Sequence, residues 1–143
     1  MILPITLTIA GAAALINVWL AWRVGQRRLS ERVSIGDGGN ERLIARMRAH
    51  ANYVEFTPFV MVLIGLIELA AGTSLWLWAT GAAYLLARIA HAIGMERPAP
   101  NPFRLVGILV TLLVLGGLGL YAIAIPYLAP TALEAGTEVV DLG

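Results

Sequence analysis

The sequence predicts an all-α membrane protein, a bundle of four transmembrane helices, and three observations predict it. Of 143 residues, 59 % are hydrophobic and 13 % charged, against ~25 % charged in soluble domains. Four stretches, residues 2–22, 54–72, 75–95 and 105–127, approach the ~20 apolar residues that cross a bilayer. Charge is segregated as well. Arg23, Arg27, Arg28, Arg32, Arg42, Arg46 and Arg48, seven of the ten basic residues, lie in the first connection. The second connection, near 71–74, is uncharged, and the third holds Arg97 and Arg104. By the positive-inside rule the two basic connections face the cytoplasm and both termini face the other way.

Each element has its own local signal. Residues 2–22 have no basic residue before them and no convincing small-residue cleavage site, so they read as a membrane helix and not a cleaved signal. "SIGDGGNE", residues 34–41, breaks the chain with glycine-rich turn chemistry, and Asn40 is placed to cap the next helix. That helix starts in water near Glu41 and runs into the second membrane segment. "GTS" at 72–74 is a tight turn, and "RPAPNPF" at 97–103 is a non-helical connector because three prolines do not fit inside one helix. "GGLG" at 116–119 is expected to let helices approach closely in lipid. Residues 1–128 read as one four-helix domain, and 129–143 as a short, flexible acidic tail. Absence of cysteine rules out disulfides and a protein thiolate. All ten basic residues are arginine, a bias in keeping with a GC-rich bacterial source.

The unusual feature is "RMRAHANYVEFTPF", residues 46–59, which carries ionisable groups to the mouth of an apolar helix. At about 100° per residue, Asn52 and Glu55 fall within about 40° of Arg48, whereas His50 points nearly the opposite way. On the third segment Tyr84, Arg88, His91 and Met95 lie within about 60° of one another. A charge at membrane depth costs ~2.5–3.5 kcal/mol on insertion scales, so such stripes face a bundle interior or a polar cavity. Two readings stay open. Glu55 pairs with Arg88 and staples two helices together, while Arg48 only snorkels; or the stripes line a site. His91 taken singly reads as a packing residue, Glu68 as structural or interfacial, and Trp76 and Trp78 as interface anchors. Two histidines on different helices among arginines disfavour a metal, and clustered arginines suit an anion with carboxylates.

"RAHANYVEFTPF" resembles the second-helix signature of the MAPEG family, membrane-associated proteins in eicosanoid and glutathione metabolism. Arg48, Ala49, His50, Asn52, Glu55, Pro58 and Phe59 fit it. "ARIAHAIGM" is similar to the family's third-helix Arg-x-x-His element, through Arg88 and His91. The likeness covers nearly all of residues 1–128. It implies a trimer that binds glutathione as co-substrate between protomers near the cytoplasmic side of a bacterial inner membrane. Implied contacts are Arg48, His50, Asn52 and Glu55 on the second helix, Arg88 and His91 on the third, and Arg28, less surely Arg27, on the first. Arg104, with Arg97 in reserve, is the implied arginine at the sulfur. Implied partners are glutathione, a lipophilic substrate and membrane lipid; no nucleic acid is expected.

The chain departs from the family at the sulfur. Met95 stands where many members have tyrosine, and Leu105 and Ile108 stand where some have serine and tyrosine. The expected activity is glutathione transfer to lipophilic electrophiles or reduction of lipid hydroperoxides. The alternative is a non-enzymatic member that binds lipid or glutathione for a partner. A four-helix cation exporter is set aside, because residues 2–22 contain no acidic side chain.

Overall fold

A computed structural model describes residues 2–128; the expected acidic tail lies outside the described residues. The chain forms four helices: α1 (Pro4–Glu31), α2 (Glu41–Ala71), α3 (Leu75–Met95) and α4 (Pro102–Leu128). At ~1.5 Å per residue the longest, α2, extends ~46 Å, against a hydrocarbon layer of ~30 Å. Its first turns, with Arg42, Arg46 and Arg48, therefore project beyond the apolar stretch. Helices α1, α2 and α4 are long and apolar enough to cross a membrane. Helix α3 lies outside that set: it carries Arg88 and His91 within 21 residues, and both side chains are turned into the bundle.

The helix ends follow local chemistry. Pro4 sits in the first turn of α1, where its missing N–H costs nothing. Arg32 closes α1 in the left-handed region at φ 55, and the Val33 N–H turns back to the Arg28 carbonyl at 3.0 Å. The Asn40 side chain caps α2 by accepting from the Leu43 N–H at 2.9 Å, as its position in the sequence predicts. Helix α1 has no cap of its own, because Leu3 occupies that position. Glu68, near the far end of α2, supplies one across the bundle. Its carboxylate accepts from the Ile5 N–H at 3.0 Å, the Thr6 N–H at 2.7 Å, the Thr6 hydroxyl at 2.6 Å and the Thr73 hydroxyl at 3.0 Å. A buried carboxylate is thus neutralised by a helix N-terminus.

Between helices in lipid, association rests on close packing and polar contacts, since lipid is as apolar as leucine. The main core joins Ile5 and Ile9 of α1, Val60, Ile64 and Ile67 of α2, Leu77 and Tyr84 of α3, and Leu118 of α4. A smaller cluster of Leu20, Ala49, Tyr53 and Ala92 fills the Arg-rich half. Hydrogen bonds cross the α1–α2 and α2–α3 seams: the Tyr53 hydroxyl donates to the Ala13 carbonyl at 2.6 Å, and Thr57 and Tyr84 share one at 2.8 Å.

Close approach is provided by other glycines than the sequence suggests. A Cβ at Gly81 would lie 2.8 Å from Ile9, and one at Gly107 would lie 2.6 Å from the His91 Cβ, so both admit a neighbouring helix. Gly116, Gly117 and Gly119 have nothing within 4 Å. Within this chain no helix packs closely against these three glycines, so close approach here falls to Gly81 and Gly107. Trp78 packs on the main core, and Trp76 meets Tyr121 edge-on at 5.2 Å.

Removing the trans cap tests this arrangement. Glu68→Ala leaves amide donors of α1 without a partner, at ~1–3 kcal/mol each if they stay dry. Its unfolding midpoint in detergent is expected to fall, with Glu68→Gln intermediate; an unchanged midpoint for Glu68→Ala would show that water replaces the carboxylate.

Candidate functional site

Arg88 is the largest fully buried side chain among the described residues, 1 % exposed. One of its Nη atoms donates to Asn52 Oδ1 at 2.7 Å and the other to Thr111 Oγ1 at 3.1 Å. Thr111 passes its own hydrogen to the Gly107 carbonyl at 2.8 Å. The Tyr53 and Phe56 rings approach the guanidinium at 5.9 and 5.8 Å, a contact that suits a desolvated cation. Arg88 Nε has no hydrogen-bond partner among the described residues. The cation is therefore held by neutral groups and by ring faces.

Glu55 does not supply the missing charge. Its residue is exposed, and no Glu55–Arg88 ion pair forms among the described residues. The staple considered from periodicity is corrected accordingly: Asn52, three residues earlier on α2, takes the place at Arg88. Arg48 and Glu55 lie on the outside of the protomer, flanking Asn52 on one stripe of α2. His50 faces the other way, and its Nε2 pairs with Asn17 of α1 at 2.8 Å.

His91 is 4 % exposed, and its Nδ1 lies 3.1 Å from the Arg104 carbonyl. A carbonyl only accepts, so that nitrogen carries the hydrogen. The Arg104 side chain is exposed at the start of α4 and borders an open, largely apolar recess of ≈ 550 Å³ shared with Pro100, Asn101, Leu105 and Ile108. Arg97 instead lies 4.8 Å over the Phe103 ring. Arg28 is occupied by the first connection, donating to the Gly36 carbonyl at 2.8 Å and the Ser34 carbonyl at 3.4 Å. Arg27 pairs with Glu31 at 3.2 Å.

Of the eight site residues read from the sequence, the protomer joins Asn52 to Arg88 and His91 to Arg104. Arg28 and His50 bind other groups, and Arg48 and Glu55 face outward. Sequence reasoning missed Thr111, although it is the only polar side chain in residues 105–120. It also missed Glu96, which binds Arg23 and, at 3.1 Å, Arg46, tying the C-terminal end of α3 to α1 and α2. Glu96 is the only acidic residue between Glu68 and Glu134. That isolation was the available signal.

Apolar helices around a buried guanidinium, with arginines gathered at one end of the bundle, define a polytopic membrane protein with a polar cluster in its interior. The MAPEG family model matches residues 6–124, and the chain belongs to the MAPEG family, which includes glutathione transferases. The inner membrane protein YecN of Escherichia coli, matched in two strains, is 30 % identical over 84 residues. The match covers 59 % of this chain and 64 % of the relative, so the chain spans just under two-thirds of the length of that protein. The chain is an integral membrane protein similar to one of a bacterial inner membrane.

Replacing Arg88 separates a staple from a ligand-binding cation. Its partners are not orphaned when it goes, since Thr111 keeps Gly107 and Asn52 is half-buried. Arg88→Met also removes a buried charge that has no paired anion among the described residues, so the desolvation cost of that cation goes with it. Chemical denaturation in detergent is expected to show unchanged or raised stability; a loss of ~3 kcal/mol or more would mark Arg88 as a structural staple.

Proposed function

We propose that the chain is a glutathione-dependent membrane transferase or peroxidase whose site is completed by a neighbouring protomer of a homotrimer. The observation that carries this reading is the stripe Arg48, Asn52, Glu55, two members of which face outward over a buried cation that lacks a paired anion. Glutathione offers two carboxylates, one ammonium and a thiol. Arg48 suits a carboxylate through a bidentate pair, Glu55 suits the ammonium, and Asn52 suits a peptide group. A protomer that leaves Arg48 and Glu55 on its surface is incomplete alone, which supports a site between copies. The Arg-rich end, cytoplasmic by the positive-inside rule, gives the tripeptide access from water.

Arg104 is the residue for the sulfur, since its guanidinium is open to the recess whereas Arg97 is stacked on Phe103. A free thiol of pKa ≈ 8.5 is only a few per cent ionised at pH 7, and each unit of lowering takes ~1.4 kcal/mol of preferential stabilisation of the thiolate. A guanidinium that stays charged throughout the physiological range supplies it. The thiolate then forms a carbon–sulfur bond to an electrophile as the leaving group departs. With a hydroperoxide, two glutathiones give the disulfide while the peroxide becomes alcohol and water. The apolar recess beside Arg104 favours a co-substrate that arrives from the bilayer.

Met95, Leu105 and Ile108 leave no hydroxyl at the positions where relatives have one, and this favours a second reading in which the chain binds glutathione or lipid without turnover. Calorimetric titration of glutathione into the purified protein tests the first reading. Binding in the micromolar to millimolar range is expected, weakened at least ~10-fold (~1.4 kcal/mol) by Arg48→Ala. No binding by the folded wild-type protein would overturn it. Binding without consumption of any electrophile or hydroperoxide would select the second.

A further inference from the structure

The Arg104 backbone is gripped from three sides while its side chain is left free. His91 Nδ1 donates to its carbonyl at 3.1 Å. Asn101 Oδ1 accepts from the Phe103 N–H at 3.0 Å and from the Arg104 N–H at 3.4 Å, and the Asn101 carbonyl accepts from the Leu105 N–H at 3.1 Å. Behind it lies Gly94, where a Cβ would stand 2.8 Å from the Arg104 Cα and 2.9 Å from its Cβ. Only glycine at 94 lets the first turn of α4 rest on α3. One turn along α4, Gly107 performs the same service for His91, since a Cβ there would lie 2.6 Å from the His91 Cβ and 2.7 Å from the Ala87 carbonyl. The guanidinium itself is exposed and has no ion-pair partner among the described residues.

We infer that His91, Gly94 and Asn101 are positioning residues that act on the thiol through Arg104, and that His91 is not itself a ligand of the tripeptide. The inference rests on the assignment of Arg104 to the sulfur made above. Its physical basis is that a charge stabilises a thiolate only if held within ~0.5 Å of its working position, and a flexible arginine needs a fixed base to meet that tolerance. The first turn of a helix is the part most prone to fraying, because its N–H groups lack partners within the helix. Here Asn101 fills that deficit from the connector, and His91 adds a bond from α3, so the two grips come from different elements. His91 is also too enclosed, at 4 % exposure, to offer much surface to a ligand. Its Nδ1–H is also committed to the Arg104 carbonyl.

The test is the ultraviolet absorbance of thiolate in the complex of glutathione with the purified protein, read beside the calorimetric affinity. Because the chain has no cysteine, the signal belongs to the bound tripeptide. Wild type is expected to show the thiolate band at neutral pH and Arg104→Ala to lose it. His91→Ala and Asn101→Ala are expected to bind glutathione within about three-fold of wild type yet lose most of the band. His91→Asn, which retains a donor near Nδ1, and Asn101→Asp, which retains the capping acceptor, are expected to restore it. Asn101 lies in the connector, so its variants give the answer even where His91→Ala does not fold.

A full band in folded Asn101→Ala or His91→Ala overturns the inference. So does loss of binding in His91→Ala with binding and band intact in Asn101→Ala, because His91 is then a direct ligand. Glutathione binding whose thiolate band survives Arg104→Ala removes the sulfur assignment, and this inference with it, while leaving the glutathione site standing. Absence of binding by wild type removes the proposed function as a whole.

Discussion

A guanidinium that never deprotonates, placed at the centre of a bundle in lipid, is the constraint around which this molecule is arranged. Arg88 takes a hydrogen-bond acceptor from α2 and another from α4 and lies against aromatic rings of α2. Each acceptor is in turn placed by local rules. Thr111 sits one turn beyond Gly107, whose lack of a side chain brings α4 onto α3, and Asn52 sits on the face of α2 opposite His50. Burying a cation in this way is costly in a low-dielectric medium. It also selects one arrangement, because a slip of α4 by a single residue would take Thr111 away.

The two ends of the bundle solve the same problem with opposite signs. At the uncharged end, Glu68 is satisfied by the N-terminus of α1, so a buried anion finds partial positive charge in the backbone. At the Arg-rich end, Glu96 is shared by Arg23 and Arg46. Two arginines on one carboxylate leave surplus positive charge at that end. The interior charge of Arg88 lies between these ends and pairs with no carboxylate among the described residues. The polarity of the bundle thus rises toward the end that carries Arg48, Asn52 and Arg104.

Helix number, the 34–41 break and the Asn40 cap were legible in the sequence, because each depends on residues close together in the chain or on composition. Partner choice at Arg88 was not. Periodicity places Asn52 and Glu55 on the same stripe, and a charge argument favours Glu55, but the depth of insertion and the rotation of α2 bring Asn52 inward instead. "GGLG" illustrates a related point: small residues permit close packing, yet only the facing helix decides where in the chain it occurs. Periodicity did turn His50 away from the Arg48 stripe, but the outward placement of Arg48 and Glu55 could not be read, since a motif records which residues are present and not which face of a helix is buried.

The polar contacts divide the molecule into two hairpins. Helices α1 and α2 are joined by His50 to Asn17, by Tyr53 to Ala13 and by Glu68 to the first turn of α1, all without help from the second half. Helices α3 and α4 are joined by His91 to Arg104, by Trp76 to Tyr121 and by the glycine contacts at 94 and 107. Arg88–Asn52, Thr57–Tyr84 and the pairs of Glu96 with Arg23 and Arg46 then bridge the halves. For a chain threaded into a membrane as it is synthesised, the division has a consequence: α1 and α2 satisfy His50, Tyr53 and Glu68 between themselves, whereas Arg88 and Glu96 of the second half take partners from the first. The first pair of helices can close its polar contacts alone, and the second needs the first in place to close its own.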